Sequence, residues 1–202
     1  MIEIAIAVAV IAFALVAIVG LLPLGMETQR DNRQETIINH DGAYLLEVIR
    51  GRATNMYDLA NFVDALLTND VQQPLSNSVN IIRTLSVVNR KNAAIMRPIS
   101  GALVGRAINM NVRDFTMHYE VVSQIFPATN NDLTVSYGSQ LASSLYEIRL
   151  TFYWPVAPDW RNRLANGQDV LPDAPHRHVF RTIVSGQGND DGFLNASQFG
   201  PP

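Results

Sequence analysis

The N-terminal part of the chain contains an apolar stretch that an ordinary soluble domain could not expose to water. Residues Ile4 to Leu24, about 21 positions, carry no charged or hydrogen-bonding side chain. Because an α-helix rises about 1.5 Å per residue, a helix of this length spans about 30 Å, which is the thickness of the hydrocarbon core of a bilayer. The stretch can therefore cross a membrane, and the residues after it have the composition of a soluble domain.

The residues around this stretch do not match a cleaved secretory signal. Such signals carry basic residues before a shorter apolar run, and the run is followed by a cleavage site made of small residues. Here the preceding residue is the acid Glu3, and the first basic residue is Arg30. A cleaved secretory signal is therefore disfavoured.

Small side chains recur through the apolar stretch, with alanine at positions 5, 7, 9, 12, 14 and 17. Small residues let helix backbones approach closely, whereas a plain membrane anchor needs only apolar side chains. Composition alone leaves an anchor and a packing helix both open. The residues predicted to pack against neighbouring helices are Ile4, Ala5, Val8, Ile11, Ala12 and Leu15.

Glu3 places a single carboxylate immediately before the apolar stretch. An unpaired charge buried in a membrane or a protein core costs several kcal/mol. The carboxylate must therefore lie in water at the level of the lipid headgroups, or pair with a group that neutralises it.

The segment from Met1 to Val8, Met-Ile-Glu-Ile-Ala-Ile-Ala-Val, resembles the start of type IV pilins and pseudopilins. In that family a basic leader ends in Gly, and a methylated Phe, a polar residue, two apolar residues and Glu follow. Met1 and Ile2 match the two apolar residues, and Glu3 matches the glutamate. The leader, its Gly, the Phe and the polar residue of the family pattern are absent before Met1, so either the numbering begins inside the mature protein or the start codon is misassigned. The resemblance implies that Glu3 pairs with the N-terminal amine of a neighbouring subunit during assembly.

The resemblance implies an α+β fold in which a long N-terminal helix has a protruding apolar half and packs on a mainly antiparallel β-sheet head. Residues 1–26 would form the transmembrane or filament-core helix, residues 27–51 its amphipathic continuation, and residues 52–202 the β-rich head.

The function implied by the resemblance is that of a structural subunit of an extracellular type IV pilus-like filament. Copies of the chain would form a helical homopolymer. The precursor would lie in the inner membrane, a prepilin peptidase and an assembly machinery would act on it, and the product would be a filament on the cell surface.

Two other functions stay open. A minor pseudopilin of a type II secretion-like system would have the same N-terminal helix. A monomeric membrane-anchored binding protein would carry a similar helix, would form no polymer and would have no leader upstream of Met1.

Pro23 and Gly25 lie near the end of the apolar stretch. Proline removes a helix hydrogen bond and glycine lowers helix stability, so the pair predicts a kink or a melted turn. Pilins often carry a proline at about this place and lose helix around it in the filament. A simple proline at the end of a helix is the alternative.

The remaining sequence predicts more helix and then a sheet. Glu27 to Ile49 is amphipathic and should continue the helix as far as Gly51, and Asn55 and Asp58 should cap a short second helix that extends to Leu67. Alternating apolar and aromatic residues predict strands further along the chain. These are Val79–Val88, Phe115–Phe126, Leu145–Trp154 and His178–Val184. The segment from Pro155 to Pro175 and the tail from Gly186 should be loops.

Two pairs of residues have the chemistry of metal ligands. Asp190 and Asp191 lie in a Gly-containing turn and offer the oxygen ligands that Ca²⁺ prefers, although solvated Asp-Gly turns are common. His176 and His178 would share one face of a strand, but no third ligand is identifiable. Calcium is therefore the one cofactor that the sequence leaves open.

Other functional classes receive no support from the sequence. No nucleophile elbow, phosphate-binding loop or zinc-protease motif is present, so no catalytic residue is assigned. The net charge is −3 and the basic residues are scattered, which gives no reason to expect nucleic-acid binding. The chain has no cysteine, so neither a disulfide framework nor a thiolate metal site is possible.

Overall fold

The computed structural model of the chain describes residues 2–51, 59–68, 71–74, 77–88, 90–99, 117–127, 144–172, 175–188 and 194–195. The chain divides into two units, Met1–Ile37 and Ile38–Pro202. The first unit consists of most of a long helix, and the second contains the end of that helix and the β-sheet.

Helix α1 spans Ile2–Gly51 and continues without interruption through Pro23 and Gly25. No turn is melted there in the single chain: proline removes one backbone hydrogen bond, and the helix continues through it. A kink at this place, and a loss of helix in a filament, stay predictions.

The second unit is built on a six-stranded antiparallel sheet with strand order β2-β1-β3-β4-β5-β6. The strands are β1 (Val63–Thr68), β2 (Val71–Gln73), β3 (Lys91–Met96), β4 (Tyr119–Pro127), β5 (Leu145–Trp154) and β6 (His176–Ser185). Two short strands, β7 (Gln187–Gly188) and β8 (Leu194–Asn195), pair separately. An α+β fold with an antiparallel sheet is thereby confirmed.

One face of the sheet packs against the end of α1 and against helix α2 (Ser78–Leu85). Asn77 caps α2, since its Oδ1 accepts a hydrogen bond of 3.0 Å from the N–H of Asn80. The side chains that α1 and α2 bury in this core are Ile38, Leu45, Val48, Ile49, Ile81, Ile82 and Leu85.

The other face of the sheet carries a smaller core under helix α3 (Trp160–Ala165). Trp160 packs there with Val156 and Val170, over small and branched residues of the inner strands. Because strands β1 and β3 are covered on both faces, their residues are buried almost without alternation.

Strand β5 has the predicted bounds, and its side chains alternate as predicted. Ile148, Leu150, Phe152 and Trp154 are buried in the main core, and Glu147, Arg149 and Tyr153 are partly exposed on the opposite face. Strand β6 extends the predicted His178–Val184 by a few residues at its ends.

Four predicted elements are wrong, one of which is the tail after Gly186, predicted to be a loop, where β7 pairs with β8. The predicted second helix is replaced by a 3₁₀ turn, Leu59–Asn61, and by β1, because a strand buried on both faces has the same continuous apolar residues as a buried helix. The predicted strand Val79–Val88 is mostly the capped helix α2. The predicted loop after Pro155 contains α3. Asn55 and Asp58 lie outside the described residues.

Candidate assembly surface and helix clamp

The apolar part of α1 is exposed as far as Pro23. Every side chain described between Ile2 and Pro23 is exposed, including those of Ile4, Val8, Ile11 and Leu15. The helix is long and apolar enough to cross a membrane, and none of its most apolar window is buried in the chain. A helix that is apolar on all sides needs lipid or other protein to cover it.

The six predicted packing residues form two adjacent strips on this helix. With about 100° of rotation per residue, Ile4, Val8, Ile11 and Leu15 lie within about 60° of each other around the axis. Ala5 and Ala12 lie about 70–90° from the centre of this strip, beside it on the helix surface. A ridge of large side chains next to a strip of small ones is a surface that another helix can pack against closely.

Glu3 lies in the first turn of α1 and is exposed. A carboxylate at a helix N-terminus is stabilised by the helix dipole. No described residue forms an ion pair with it. Its predicted pairing with the amine of another subunit therefore stays a prediction.

A buried carboxylate holds the end of α1 on the sheet. Asp41 is 0% exposed, and its Oδ2 accepts hydrogen bonds from the hydroxyl of Tyr119 at 2.8 Å and from the N–H of Ile99 at 2.9 Å. Burial, the charge of Asp41 and the hydrogen bond to it raise the pKa of Tyr119 well above its ordinary value. The carboxylate thus joins α1 to the start of β4 and to the segment after β3.

Gly42 lets α1 approach the sheet closely beside this carboxylate. A Cβ atom at Gly42 would lie 2.2 Å from the ring of Phe180 in β6. Phe180 in turn meets Phe152 edge to face at 5.3 Å, and Phe152 lies 5.5 Å from the ring of Tyr119. We call Asp41, Gly42, Tyr119 and Phe180 the helix clamp.

Sequence analysis missed the helix clamp, although a signal was present. Asp41 follows Ile38 by three positions and precedes Leu45 by four, so it falls on the apolar stripe of α1 that faces the sheet. A charged residue on such a stripe followed by glycine indicates a buried polar contact at a point of close approach.

A second charged cluster lies around Asp64 in β1. Its carboxylate accepts a hydrogen bond of 2.9 Å from His118 Nε2, and Arg97 Nε and Arg161 lie 3.3 and 3.9 Å away. Burial opposes ionisation, but the hydrogen bond from His118 and the charges of Arg97, His118 and Arg161 outweigh it and lower the pKa of Asp64. Arg161 also lies 4.6 Å over the ring of Trp160, so the cluster joins α3 to the sheet.

The structure gives no support to a metal site within the part of the chain that it describes. His176 stacks on Trp154 at 5.6 Å and His178 lies 4.6 Å from Phe180, so both imidazoles have aromatic neighbours. No three described His, Asp or Glu residues are grouped so that they could hold a metal ion. Asp190 and Asp191 lie outside the described residues, so the calcium site stays a prediction.

Comparison with known proteins assigns no family to the chain. No family model matches the sequence, and neither a curated protein nor a solved structure matches it. The candidate surface is therefore defined by the exposed apolar helix, the helix clamp and the sheet themselves.

Proposed function

We propose that this protein is a structural subunit of an extracellular filament of the type IV pilus kind, and that its copies polymerise through the apolar half of α1. The observation that carries this proposal is that every described side chain from Ile2 to Pro23 is exposed in the single chain. The folded second unit has its own core, so these side chains are left for another molecule to cover.

Burial of the apolar side chains of this helix drives two steps, insertion into a bilayer and packing in the polymer. Fully burying one large apolar side chain is worth about 1.5–3 kcal/mol relative to water, so the helix does not remain in water. A bilayer covers it first, and neighbouring helices cover it in the polymer. Since lipid is as apolar as the helix, the exchange depends on close packing, which the strip of Ala5 and Ala12 favours.

The helix clamp lies within the second unit and holds the C-terminal end of α1 on the sheet. Asp41 and Gly42 lie within the second unit and fix the end of α1 on β4 and β6. Glu3 pairs with the N-terminal amine of a neighbour, which removes the cost of its buried charge.

The precursor lies in the inner membrane, where a prepilin peptidase and an assembly machinery act on it, and the assembled subunit lies in a filament on the cell surface. Its principal partner is a second copy of itself. A minor pseudopilin would share the helix but would form only a small fraction of the polymer.

The test is a pair of double substitutions with the same chemistry on different sides of α1. Ala5→Leu with Ala12→Leu fills the strip of small residues, whereas Ala14→Leu with Ala17→Leu adds the same volume on the opposite side. Both variants stay apolar, so both should remain in the membrane fraction.

We expect the Ala5/Ala12 variant to lose sedimentable filaments in negative-stain micrographs, and the Ala14/Ala17 variant to keep them. Equal filament yields from the two variants would contradict packing through this strip. A wild-type chain that stays monomeric in the membrane would instead identify a membrane-anchored binding protein.

A further inference from the structure

One face of strands β5 and β6 carries three arginines. Arg149 in β5 and Arg181 in β6 are direct cross-strand partners, so their side chains leave the sheet on the same face, and Arg177 lies on that face four residues earlier. Like charges placed opposite each other destabilise a sheet. We call Arg149, Arg177 and Arg181 the arginine face.

The charges of the arginine face are only partly compensated within the chain. Arg149 bonds Glu147 at 3.1 Å, but its Nε is buried and has no hydrogen-bond partner. Arg177 lies 6.0 Å over the ring of Tyr153, and neither Arg177 nor Arg181 forms an ion pair with a described residue. Ile183, on the same face, is 62% exposed. Exposed arginine next to an exposed apolar side chain is typical of a protein interface.

An acidic stripe with the opposite charge lies on α1. Glu27, Asp31 and Glu35 follow each other at intervals of four residues, so they lie on one side of the helix, and all three are exposed. Like charges at this spacing destabilise a helix. None of the three forms an ion pair with a described residue.

The two surfaces match in length. The stripe extends about 12 Å from Glu27 to Glu35, at 1.5 Å per residue. Arg177 and Arg181 lie about 13 Å apart along β6, at about 3.3 Å per residue. Arg149 lies beside Arg181 on the neighbouring strand β5, so that end of the arginine face carries two arginines. A helix lying along β6 can therefore place one carboxylate at each end of the arginine face.

We infer that the acidic stripe of one copy docks on the arginine face of another copy. The contact rests on the proposed filament function and adds to it a second interface, separate from the packing of the apolar helices. Each surface neutralises the like charges of the other, and the exposed Ile183 is covered at the edge of the contact.

The partner is a second copy because both halves of the contact lie on one chain. Two different complementary patches on one subunit form a head-to-tail interface, and such an interface generates an open helical polymer when its rotation does not close a ring. A polyanion such as nucleic acid is a poorer occupant, since the chain as a whole carries a net charge of −3.

The test uses disulfide formation between copies of the full chain, which has no cysteine of its own. One population carries Asp31→Cys and a second, differently tagged, carries Val179→Cys, which lies between Arg177 and Arg181 on the arginine face. The two are co-assembled and oxidised, and the mixed dimer is measured. The control replaces Asp31→Cys with Arg33→Cys, about 200° away around the exposed helix.

We expect a mixed-dimer yield about tenfold higher for the cysteine at 31 than for the one at 33, since a contact difference of about 1.4 kcal/mol gives this ratio. Arg177→Glu with Arg181→Glu should abolish the excess. Glu27→Arg with Glu35→Arg in the other population should restore it.

Equal yields for the cysteines at 31 and 33 in samples that contain filaments would overturn the inferred contact and leave the proposed function standing. A yield that is unaffected by charge reversal would also overturn it. The absence of any polymer would overturn the proposed function and this contact together.

Discussion

Asp41 holds the C-terminal end of α1, which belongs to the second unit, on the sheet. A carboxylate loses its hydration when it is buried, and only donors at hydrogen-bond distance can replace the lost water. The hydroxyl of Tyr119 and the N–H of Ile99 are such donors, at 2.8 and 2.9 Å. Both bonds are directional, so a shift of this end of α1 along the sheet would break them.

Tyr119→Phe removes one of these donors with little change of shape. The buried carboxylate then lacks a hydrogen bond, and we expect the free energy of unfolding to fall by about 1–3 kcal/mol. Urea unfolding of the full chain in detergent micelles, followed by tryptophan fluorescence, measures the change. Tyr153→Phe, on the opposite face of the sheet, is the control, and an equal effect of both substitutions would argue against the clamp.

Gly42→Ala tests the close approach of α1 to β6. The added methyl group would lie 2.2 Å from the ring of Phe180, so the helix or the ring must shift, and overpacking of this kind costs about 1–3 kcal/mol. Gly25→Ala has nothing within 4 Å and should instead stabilise the helix slightly. Thermal unfolding of both variants checks the prediction, and a stabilised Gly42→Ala would contradict it.

Asp64 should make the head sensitive to acid. Because its pKa is lowered in the folded protein, its ionised form contributes stability above the unfolded pKa of about 3.9, and this contribution is lost as the pH falls through the folded pKa. Asp64→Asn should lower the free energy of unfolding by about 1–3 kcal/mol at pH 7. The difference from wild type should shrink below about pH 4, where wild-type Asp64 also becomes neutral.

Unfolding curves at a series of pH values measure this difference. Asp169→Asn is a suitable control, because Asp169 is exposed in the segment after α3 and its carboxylate accepts only a local hydrogen bond, from the N–H of Leu171. A constant difference between wild type and Asp64→Asn down to pH 2 would contradict the stated cause of the shift.

At the scale of elements, Pro23 removes one backbone hydrogen bond from the interior of α1. The helix continues through it, but the carbonyl oxygen of Val19 has no N–H donor four residues later. Pro23→Ala supplies this donor. We expect hydrogen exchange of the amides just after position 23 to slow by about tenfold or more in micelles, since an interior proline costs about 3 kcal/mol.

Helix content by circular dichroism should stay nearly unchanged in the same variant, because α1 is already helical on both sides of Pro23. A large gain in helix would mean that the turn is melted in the wild-type chain. Ala17→Gly, which weakens the helix without removing a donor, provides the comparison in the opposite direction.

The elements predicted best are those whose burial alternates or is uniform over many residues. Along β5, partly exposed side chains alternate with buried ones, and α1 is apolar over more than four turns, so both could be predicted from the sequence. Strand β1 and helix α2 could not be predicted in this way. β1 is buried on both faces, and α2 is a short helix whose start depends on the side chain of Asn77.

The charged sites depend on contacts between distant parts of the chain. Asp64 and His118 are 54 positions apart, and Asp41 and Tyr119 are 78 apart, so each pairing requires the register of the sheet to be known. By contrast, the apolar surface of α1 could be predicted from residues that are consecutive in the sequence. The arginine face likewise becomes visible when β5 and β6 are aligned, with Arg149 opposite Arg181.

At the scale of the whole molecule, the two units have opposite relations to water. The second unit buries its apolar side chains in two cores, one on each face of its sheet. The first unit exposes nearly all of its own apolar residues. Lipid or other protein must cover this helix, and in the proposed polymer other copies of the chain provide that cover.

The most direct test of this account is electron microscopy of filaments sheared from cells that make the protein, with mass spectrometry of the dominant band and of its N-terminus. The account predicts that this chain is the main repeating subunit, that its α1 helices pack in the filament core, and that it begins at a methylated residue two positions before Met1. A chain recovered only from the membrane fraction, monomeric and with Met1 intact, would contradict it.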